Sequence, residues 1–445
     1  MNLSQALRIT SSSPIIAFVG AGGKTTALFQ LAHELIQPSS LRLRSGRAIV
    51  TATTHLGAWQ IPLADHHIIA ESVDDVIDHE FHGITLITGA MENDRAKPID
   101  ISILLRLYEE SKRYGIPLLI EADGSRQKPL KAPAEHEPAI PEFVELVVVV
   151  AGLSGLGKPL NENHVHRPEL FGELANRKND TKIMPEDVVK VLCHPKGGLK
   201  NIPSQARRAV LLNQADTPEL QAVGGRMAGG LLKDYDSVLV GTLQSSNLQV
   251  FENVAGIILA AGGSKRFGGT KQLLNWHGQP FVRAVAKTAL DAGLSPVLVV
   301  TGANADEVEK VVNDLDVSIV RNDDWQSGQS SSIRAGVQAL PPKTGACVFL
   351  LADQPQIPAS VIHALMDVHA NGLHPIVAPL VRMEHRANPV LFDRVTFPDL
   401  LALEGDVGGR AIFSKHKVEF MPWHNDILLL DVDKPEDYKR LVESE

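Results

Sequence analysis

From one end to the other, short runs of β-branched and aliphatic residues alternate with longer amphipathic stretches. No other feature constrains the fold as much. A strand, a helix-length segment and another strand, repeated, close into a mainly parallel sheet covered by helices. Strands are expected near 15–19, 47–51, 84–88, 117–121, 145–150, 208–213 and 237–241, with helices near 24–36, 101–114, 185–192 and 217–232. Residues 152–182 and 194–204, rich in Gly, Pro, Asn and His, read as loops. The polar residues 246–253 carry no period and read as a linker. A second series follows, with strands near 254–260, 296–301, 317–320, 346–351, 375–379 and 427–430. Its helices fall near 280–292, 304–313, 330–339, 358–370 and 435–442. The expected architecture is α/β with two doubly wound domains, 1–245 and 254–445. A chain of 445 residues has room for both.

The net charge of −9 gives no global cationic surface for nucleic acid or an anionic membrane. Two cysteines, Cys193 and Cys347, exclude a disulfide framework and a Cys-based zinc site, and fit a reducing compartment. The opening Met-Asn-Leu-Ser-Gln lacks a signal-peptide pattern, and the longest apolar run, near 146–153, is too short to span a bilayer. A cytoplasmic location is expected, without nucleic-acid or membrane partners.

In the second half, the strand 254–259 runs into Leu259, Ala260, Ala261, Gly262, Gly263 and Ser264, followed by Arg266 and Lys271. Glycines let the backbone approach a phosphate chain, and successive N–H groups form an anion nest. Arg266 and Lys271 add positive charge where a pyrophosphate leaving group becomes more negative. Asp353 follows the apolar strand 346–351. At the carboxyl edge of a parallel sheet, a carboxylate can hold Mg²⁺ together with substrate phosphates. Asp433 is the candidate second ligand, Asp431 its alternative, and Asp437 is expected on the outer turn of the last helix.

The spacing Leu-Ala-Ala-Gly-x-Ser-x-Arg-Phe-Gly-x-x-Lys resembles the MobA-like NTP transferase family, and within it the molybdenum cofactor cytidylyltransferases. The resemblance extends to Trp325–Gly328 with Ser330–Ser332, Leu350–Pro355, Arg386–Val390, Gly405–Arg410 and Leu430–Asp437. Ala387 and Lys434 depart mildly from the family pattern. The resemblance implies a Rossmann-like nucleotidyltransferase domain, with Gly328, Ser331 and Ser332 near the base. It implies acceptor contacts at Arg386, Asn388, Asp406 and Arg410. The implied reaction is attack by an acceptor phosphate on the α-phosphorus of an NTP, catalysed by Arg266, Lys271 and Asp353 with Mg²⁺. An acceptor that is already an anion needs no strong base, so His385 has no assigned role. Leu-Ala-Ala-Gly is the form usual in cytidylyl members, which implies CTP and molybdopterin as substrates. Transfer of another nucleotide, an acceptor such as a sugar 1-phosphate, and a carrier that delivers cofactor to a molybdenum hydroxylase apoenzyme stay open.

In the first half, the strand 15–19 leads into Gly20, Ala21, Gly22, Gly23, Lys24, Thr25 and Thr26, and a helix follows. A glycine turn with Lys-Thr at a helix start is a phosphate cradle: backbone N–H groups meet the phosphates, Lys24 reaches the outer ones, and Thr25 can ligate Mg²⁺. Phe18 stands where the full P-loop pattern needs glycine. The loop is therefore a shortened variant, similar to that of Mur ligases. Glu121 and Asp123 end an apolar strand as metal-organising carboxylates would. Asn213 to Asp216 resembles the guanine-reading motif of GTPases with Gln214 for Lys, and reads equally as a turn with Asp216 capping a helix. These features imply a P-loop NTPase-like domain for GTP or ATP. With Thr51–Thr54, Glu121–Arg126 and Gly152–Arg167, they resemble the YqeC family, linked to selenium-dependent molybdenum hydroxylases. His164 and His166, without further ligands nearby, read as loop or substrate contacts.

Overall fold

The structure is a computed structural model that describes residues 1–37, 46–245, 247–263, 267, 269–432 and 434–443. The chain divides into two compact units, Met1–Phe251 and Glu252–Glu445.

The first unit is built on nine strands: β1 (Ile15–Gly20), β2 (Arg47–Ala52), β3 (His66–Ile69), β4 (Gly83–Thr88), β5 (Leu118–Glu121), β6 (Leu146–Gly152), β7 (Arg207–Asn213), β8 (Ser237–Thr242) and β9 (Asn247–Phe251). They lie in the order β9-β8-β7-β6-β1-β5-β2-β4-β3. All pairings are parallel except β8 with β9. The central strands are buried on both faces, which is why they read as unbroken aliphatic runs. Ile15, Ala17 and Val19 of β1 share a core with Ile103, Leu104 and Leu107 of the helix α1 (Ile101–Tyr114) and with Phe171, Val188 and Met227. The helix Lys24–Ile36 contacts β1, β2, β4 and β5.

The second unit carries β10 (Val254–Leu259), β11 (Val297–Thr301), β12 (Ser318–Arg321), β13 (Ala346–Leu351), β14 (Ile376–Val381), β15 (His385–Arg386), β16 (Val390–Asp393) and β17 (Val418–Trp423). The order is β12-β11-β10-β13-β16-β14-β15, with β17 on β14. Strands β12, β11, β10 and β13 are parallel, and β16 is antiparallel to both β13 and β14. Residue alternation sorts this sheet between two cores. Ala346, Val348 and Leu350 join Val282, Val361 and Leu365 from helices Phe281–Asp291 and Ala359–Gly372. Cys347 and Phe349 join Ile333 and Val337 from helix Gln329–Gln338. Helices therefore cover both faces.

The expected α/β architecture with parallel sheets is present in both units, and four local expectations change. Residues 246–253 do not form an unstructured linker: 247–251 is an edge strand with Leu248 and Val250 buried. Its Asn and Gln residues alternate with apolar ones, a period of two hidden by polar composition. Within 152–182 there is a helix, Pro168–Ala175, opened by proline at its first position. Residues 427–430 form no strand; Asp426–Leu429 is a 3-10 turn whose Asn425 side chain accepts from the Ile427 N–H. Strands β3, β15, β16 and β17 were not anticipated.

Leu248→Ala should cost about 2–5 kcal/mol of stability, because it empties a buried site on β9. Urea unfolding of the full chain measures this. A loss under about 0.5 kcal/mol, usual for exposed positions, would return 247–251 to linker status.

Candidate functional site

In both units the sheet order reverses beside the strand that precedes the glycine-rich loop, at β1/β6 and at β10/β13. Such a reversal opens a crevice at the carboxyl ends of the strands.

In the first unit this crevice is a cavity of about 770 Å³. Gly22, Gly23, Lys24, Thr25, Thr26 and Glu121 line it, together with Trp59, Gln60, Arg126, Lys128, His166, Arg167 and Gln214. Gly22 has φ +85°, and a Cβ there would stand 2.3 Å from the backbone nitrogen of Gly152, so only glycine lets the loop lie against β6. Lys24 Nζ donates to the Gly20 carbonyl at 2.9 Å and lies 3.3 Å from Asp123 Oδ1. Asp123 also accepts from the Gly20 N–H at 3.0 Å and from Lys131 Nζ at 2.8 Å. Thr25 Oγ1 donates to Glu121 Oε2 at 2.9 Å and accepts from Gln60 Nε2 at 3.0 Å. Burial pushes the Glu121 carboxyl up, opposed by the Lys24 charge and the Thr25 hydroxyl. A bound cation would relieve that penalty.

The charge pairing continues away from the loop. Lys131 Nζ donates to Glu137 Oε2 at 2.8 Å, and Arg167 grips both oxygens of Glu137 at 2.8 and 3.0 Å. Burial alone would raise the Glu137 carboxyl, but the Arg167 hydrogen bonds and the Lys131 charge hold it down at about 2. His166 is pulled down to about 4, first by burial and then by the charges of Arg167, Lys131 and Arg126.

In the second unit a cavity of about 570 Å³ opens between the ends of β10 and β13. Leu259, Ala261, Gly262, Gly263, Lys271, Trp325, Gly328, Ser332, Asp353 and Asp406 line it. Lys271 Nζ donates to Asp353 Oδ2 at 3.0 Å and to the Val432 carbonyl at 2.9 Å. The Ala352 N–H bonds to the Leu259 carbonyl at 3.3 Å, tying the two strand ends together. Gln272, mostly buried but reaching the cavity wall, donates to the Gly262 carbonyl at 2.8 Å and so ties the glycine loop in place. Gly328 has φ +110°, and a Cβ there would stand 2.5 Å from Asp406 Cα. That close approach brings the 405–406 loop to the cavity, where Asp406 Oδ1 accepts from the Gln329 N–H at 3.1 Å. A second cavity of about 280 Å³ shares Leu259, Gln329 and Leu351 with the first. Its other walls include Ile333, Phe349, Phe392, Asn388 and Arg410.

Residues 256–420 match the MobA-like NTP transferase domain, and residues 16–169 match the YqeC protein family. The chain is 32% identical over 237 residues to protein YqeC of Escherichia coli (strain K12), covering 52% of this chain and 88% of that protein. It is 34% identical over 202 residues to nicotine blue oxidoreductase of Paenarthrobacter nicotinovorans, covering 42% of this chain and 96% of that protein. The chain belongs to both families: a YqeC unit is followed by a MobA-like NTP transferase unit. Another relative is the molybdenum cofactor cytidylyltransferase of Escherichia coli (strain K12), 26% identical over 194 residues that cover 41% of this chain and 92% of that protein.

In the transferase unit, most of the residues singled out from the sequence converge on the two cavities. Ser264, Arg266 and Asp433 lie outside the described residues. Ala260 is buried and does not line a cavity. Ser331 is buried too, its hydroxyl donating to the Gly328 carbonyl and accepting from Asn322. Ser332 reaches the cavity wall, but its hydroxyl also accepts from Asn322. Ala261 packs its methyl near Gly302, so it shapes the loop rather than standing free in the cavity. Arg386 lies over the rings of Phe413 and Phe420, at 5.9 and 5.4 Å, and lines neither cavity. Among the described residues no group of three or more His, Cys, Asp or Glu side chains is placed to hold a metal ion. Asp353, just past a strand end, fits Mg²⁺, which takes one or two carboxylates and completes its shell with phosphates and water.

In the YqeC unit, Gly20 and Asp123 support the loop from outside the larger cavity. Asn213 is structural: its amide donates to the Gly22 carbonyl at 2.8 Å and its oxygen accepts from the Leu243 N–H at 3.2 Å. Asp216 is exposed, and Gln214 takes its expected place on the cavity wall. Thr217, not Asp216, caps the following helix by accepting from the Leu220 N–H. Lys131, Glu137, Gln60 and Trp59 were not anticipated. They sit on segments without a period, where no local signal points to a site.

Arg167→Ala should let the Glu137 carboxyl rise toward its ordinary 4.5. A depressed carboxylate contributes stability that is full above its unfolded value and drains away as the pH falls from 4.5 toward 2. The stability gap between wild type and variant should therefore be wide at neutral pH and narrow on acidification through that window. Urea unfolding at both pH values reads it, and a pH-independent gap would contradict the pairing.

Proposed function

We propose that the transferase unit moves CMP from CTP to a phosphorylated acceptor of the molybdopterin type, releasing pyrophosphate. The observation that carries this reading is the Lys271–Asp353 pair at the mouth of a cavity walled by the glycine loop 259–263. An acceptor phosphate oxygen attacks the α-phosphorus. The new P–O bond forms as the bond from the α-phosphorus to the bridging oxygen breaks, and pyrophosphate departs. Backbone N–H groups of the loop and Lys271 neutralise the leaving group, and catalysis rests on alignment and charge rather than on a base. When bound at Asp353, Mg²⁺ would supply further neutralisation at the phosphates. The second, partly apolar cavity, with Asn388 and Arg410 on its wall, suits an acceptor with a ring system and an anionic end. Similarity to a cytidylyltransferase supports CTP. The Ala261 methyl contributes through loop shape.

In the YqeC unit, Gly20–Thr26 holds the phosphates of a second NTP, ATP or GTP, and Thr25 with Glu121 is the cation position. The reading is supported by the strand–loop–helix setting and the burial penalty on Glu121. The whole chain then acts in maturation of a molybdenum hydroxylase cofactor, with the apoenzyme as downstream partner.

Asp353→Ala should reduce pyrophosphate release from CTP and molybdopterin to background while the unfolding transition persists. The wild-type chain should use CTP faster than GTP, by about 10–200-fold if one pocket contact decides. Near-normal turnover by the variant would misplace the metal, and faster use of GTP would reverse the base assignment. No pyrophosphate from any NTP would remove the transferase reading.

A further inference from the structure

We propose that the YqeC unit binds a second, anionic small molecule beside its glycine-rich loop, gripped by Arg126 and Lys128 with the charge of Arg167 alongside. The inference rests on the reading of Gly20–Thr26 as a nucleotide-phosphate loop and names the chemical class of that nucleotide's co-substrate: a compound bearing a phosphate or carboxylate.

A second cavity of about 530 Å³ adjoins the loop cavity. The two share Arg126, Lys128, His166 and Arg167, yet no residue of the glycine-rich loop lines the second. A nucleotide on the loop therefore leaves this space to another ligand, with the cations standing between the two. Arg126 is exposed and has no hydrogen-bond or ion-pair partner among the described residues, and Lys128 Nζ donates only to the Asn163 carbonyl at 3.3 Å. The guanidinium fork of Arg126 and the ammonium of Lys128 on one wall match the geometry of phosphate or carboxylate, and Arg167, whose two terminal nitrogens are hydrogen-bonded to Glu137, adds charge beside them. Glu162 and Glu169 lie on the exposed rim, where solvent screens them.

Backbone strain marks the same wall. Arg126, Gln127 and Arg167 have φ of 48°, 58° and 65°, a left-handed conformation that costs a non-glycine residue roughly 1–2 kcal/mol. Such strain gathers where side chains are held for ligands. Arg167 is held further by the chain Asp123–Lys131–Glu137–Arg167, whose first member also binds the Gly20 N–H. The cation is thus fixed relative to the phosphate loop before any ligand arrives, which lowers the ordering cost of binding. His166, held down first by burial and then by the charges of Arg167, Lys131 and Arg126, stands on the same wall.

The test uses the full chain, with inorganic phosphate as the probe and phenylglyoxal labelling of arginines read by mass spectrometry. With a non-hydrolysable ATP or GTP analogue bound, phosphate should slow labelling of Arg126 by about tenfold, the effect of one charge-assisted contact. Exposed Arg226, outside both cavities, should be unaffected. Lys128→Ala should remove much of the protection without unfolding the chain, because its side chain is only partly buried. Labelling of Arg126 that ignores phosphate would overturn the proposal. So would complete protection by the nucleotide alone, which would give Arg126 to the nucleotide's own phosphates. Phosphate protection that survives while Lys24→Ala leaves nucleotide binding unchanged would sink the loop reading and leave the anion subsite standing.

Discussion

In each unit, a lysine from a glycine-rich loop pairs with a carboxylate beyond the end of a neighbouring parallel strand. Lys24 lies 3.3 Å from Asp123, and Lys271 donates to Asp353 at 3.0 Å. Each pair joins a lysine that follows a glycine-rich turn to a carboxylate just past the end of a strand. In the first unit the N–H groups of Gly20, Ala21 and Gly22 bond to the Asp123 carboxylate and to the carbonyls of Val150 and Lys128, which sets the shape of the loop before any ligand arrives. The two sheets build these crevices with different strand orders but at the same topological position, the reversal beside the first strand of the unit.

What surrounds each pair differs. In the transferase unit the wall combines the glycine loop with Gln272, Trp325, Gln329 and Leu351, and a second, partly apolar cavity lies alongside. In the YqeC unit the wall is charged, and Asp123 begins an alternating series of carboxylates and cations that runs to Arg167. The first arrangement suits a ring-bearing acceptor and a reaction driven by alignment. The second suits two anionic ligands held side by side.

Much of this was legible in the sequence, for a physical reason. Parallel strands buried on both faces must be aliphatic throughout, so β1, β5, β6, β10 and β13 declare themselves, and with them the loops and carboxylates at their ends. Lys24, Glu121, Lys271 and Asp353 could be placed on that basis. Strand β9 could not, because its exposed alternate residues are polar and mimic a linker. Strands β16 and β17 hid for a related reason: β16 is four residues long, and β17 is only half-buried. Lys131 pairs with Glu137, and Arg126 lines the same cavity as Glu137, by way of a backbone in which Arg126 and Gln127 have positive φ, and no sequence period records that arrangement. Asp216 is exposed and does not line the cavity, whereas Gln214, in a left-handed backbone conformation, does.

The central claim is that the nucleotide of the transferase unit is held with a metal at Asp353, between the ends of β10 and β13. The most direct measurement is a crystal structure of the full chain with Mn²⁺ and a non-hydrolysable CTP analogue, using anomalous scattering to locate the metal. The account predicts an anomalous peak bonded to an Asp353 oxygen, with the triphosphate along Leu259–Gly263 and Lys271 turned from the carboxylate toward it. A triphosphate bound away from that loop, or a metal whose ligands exclude Asp353, would contradict it.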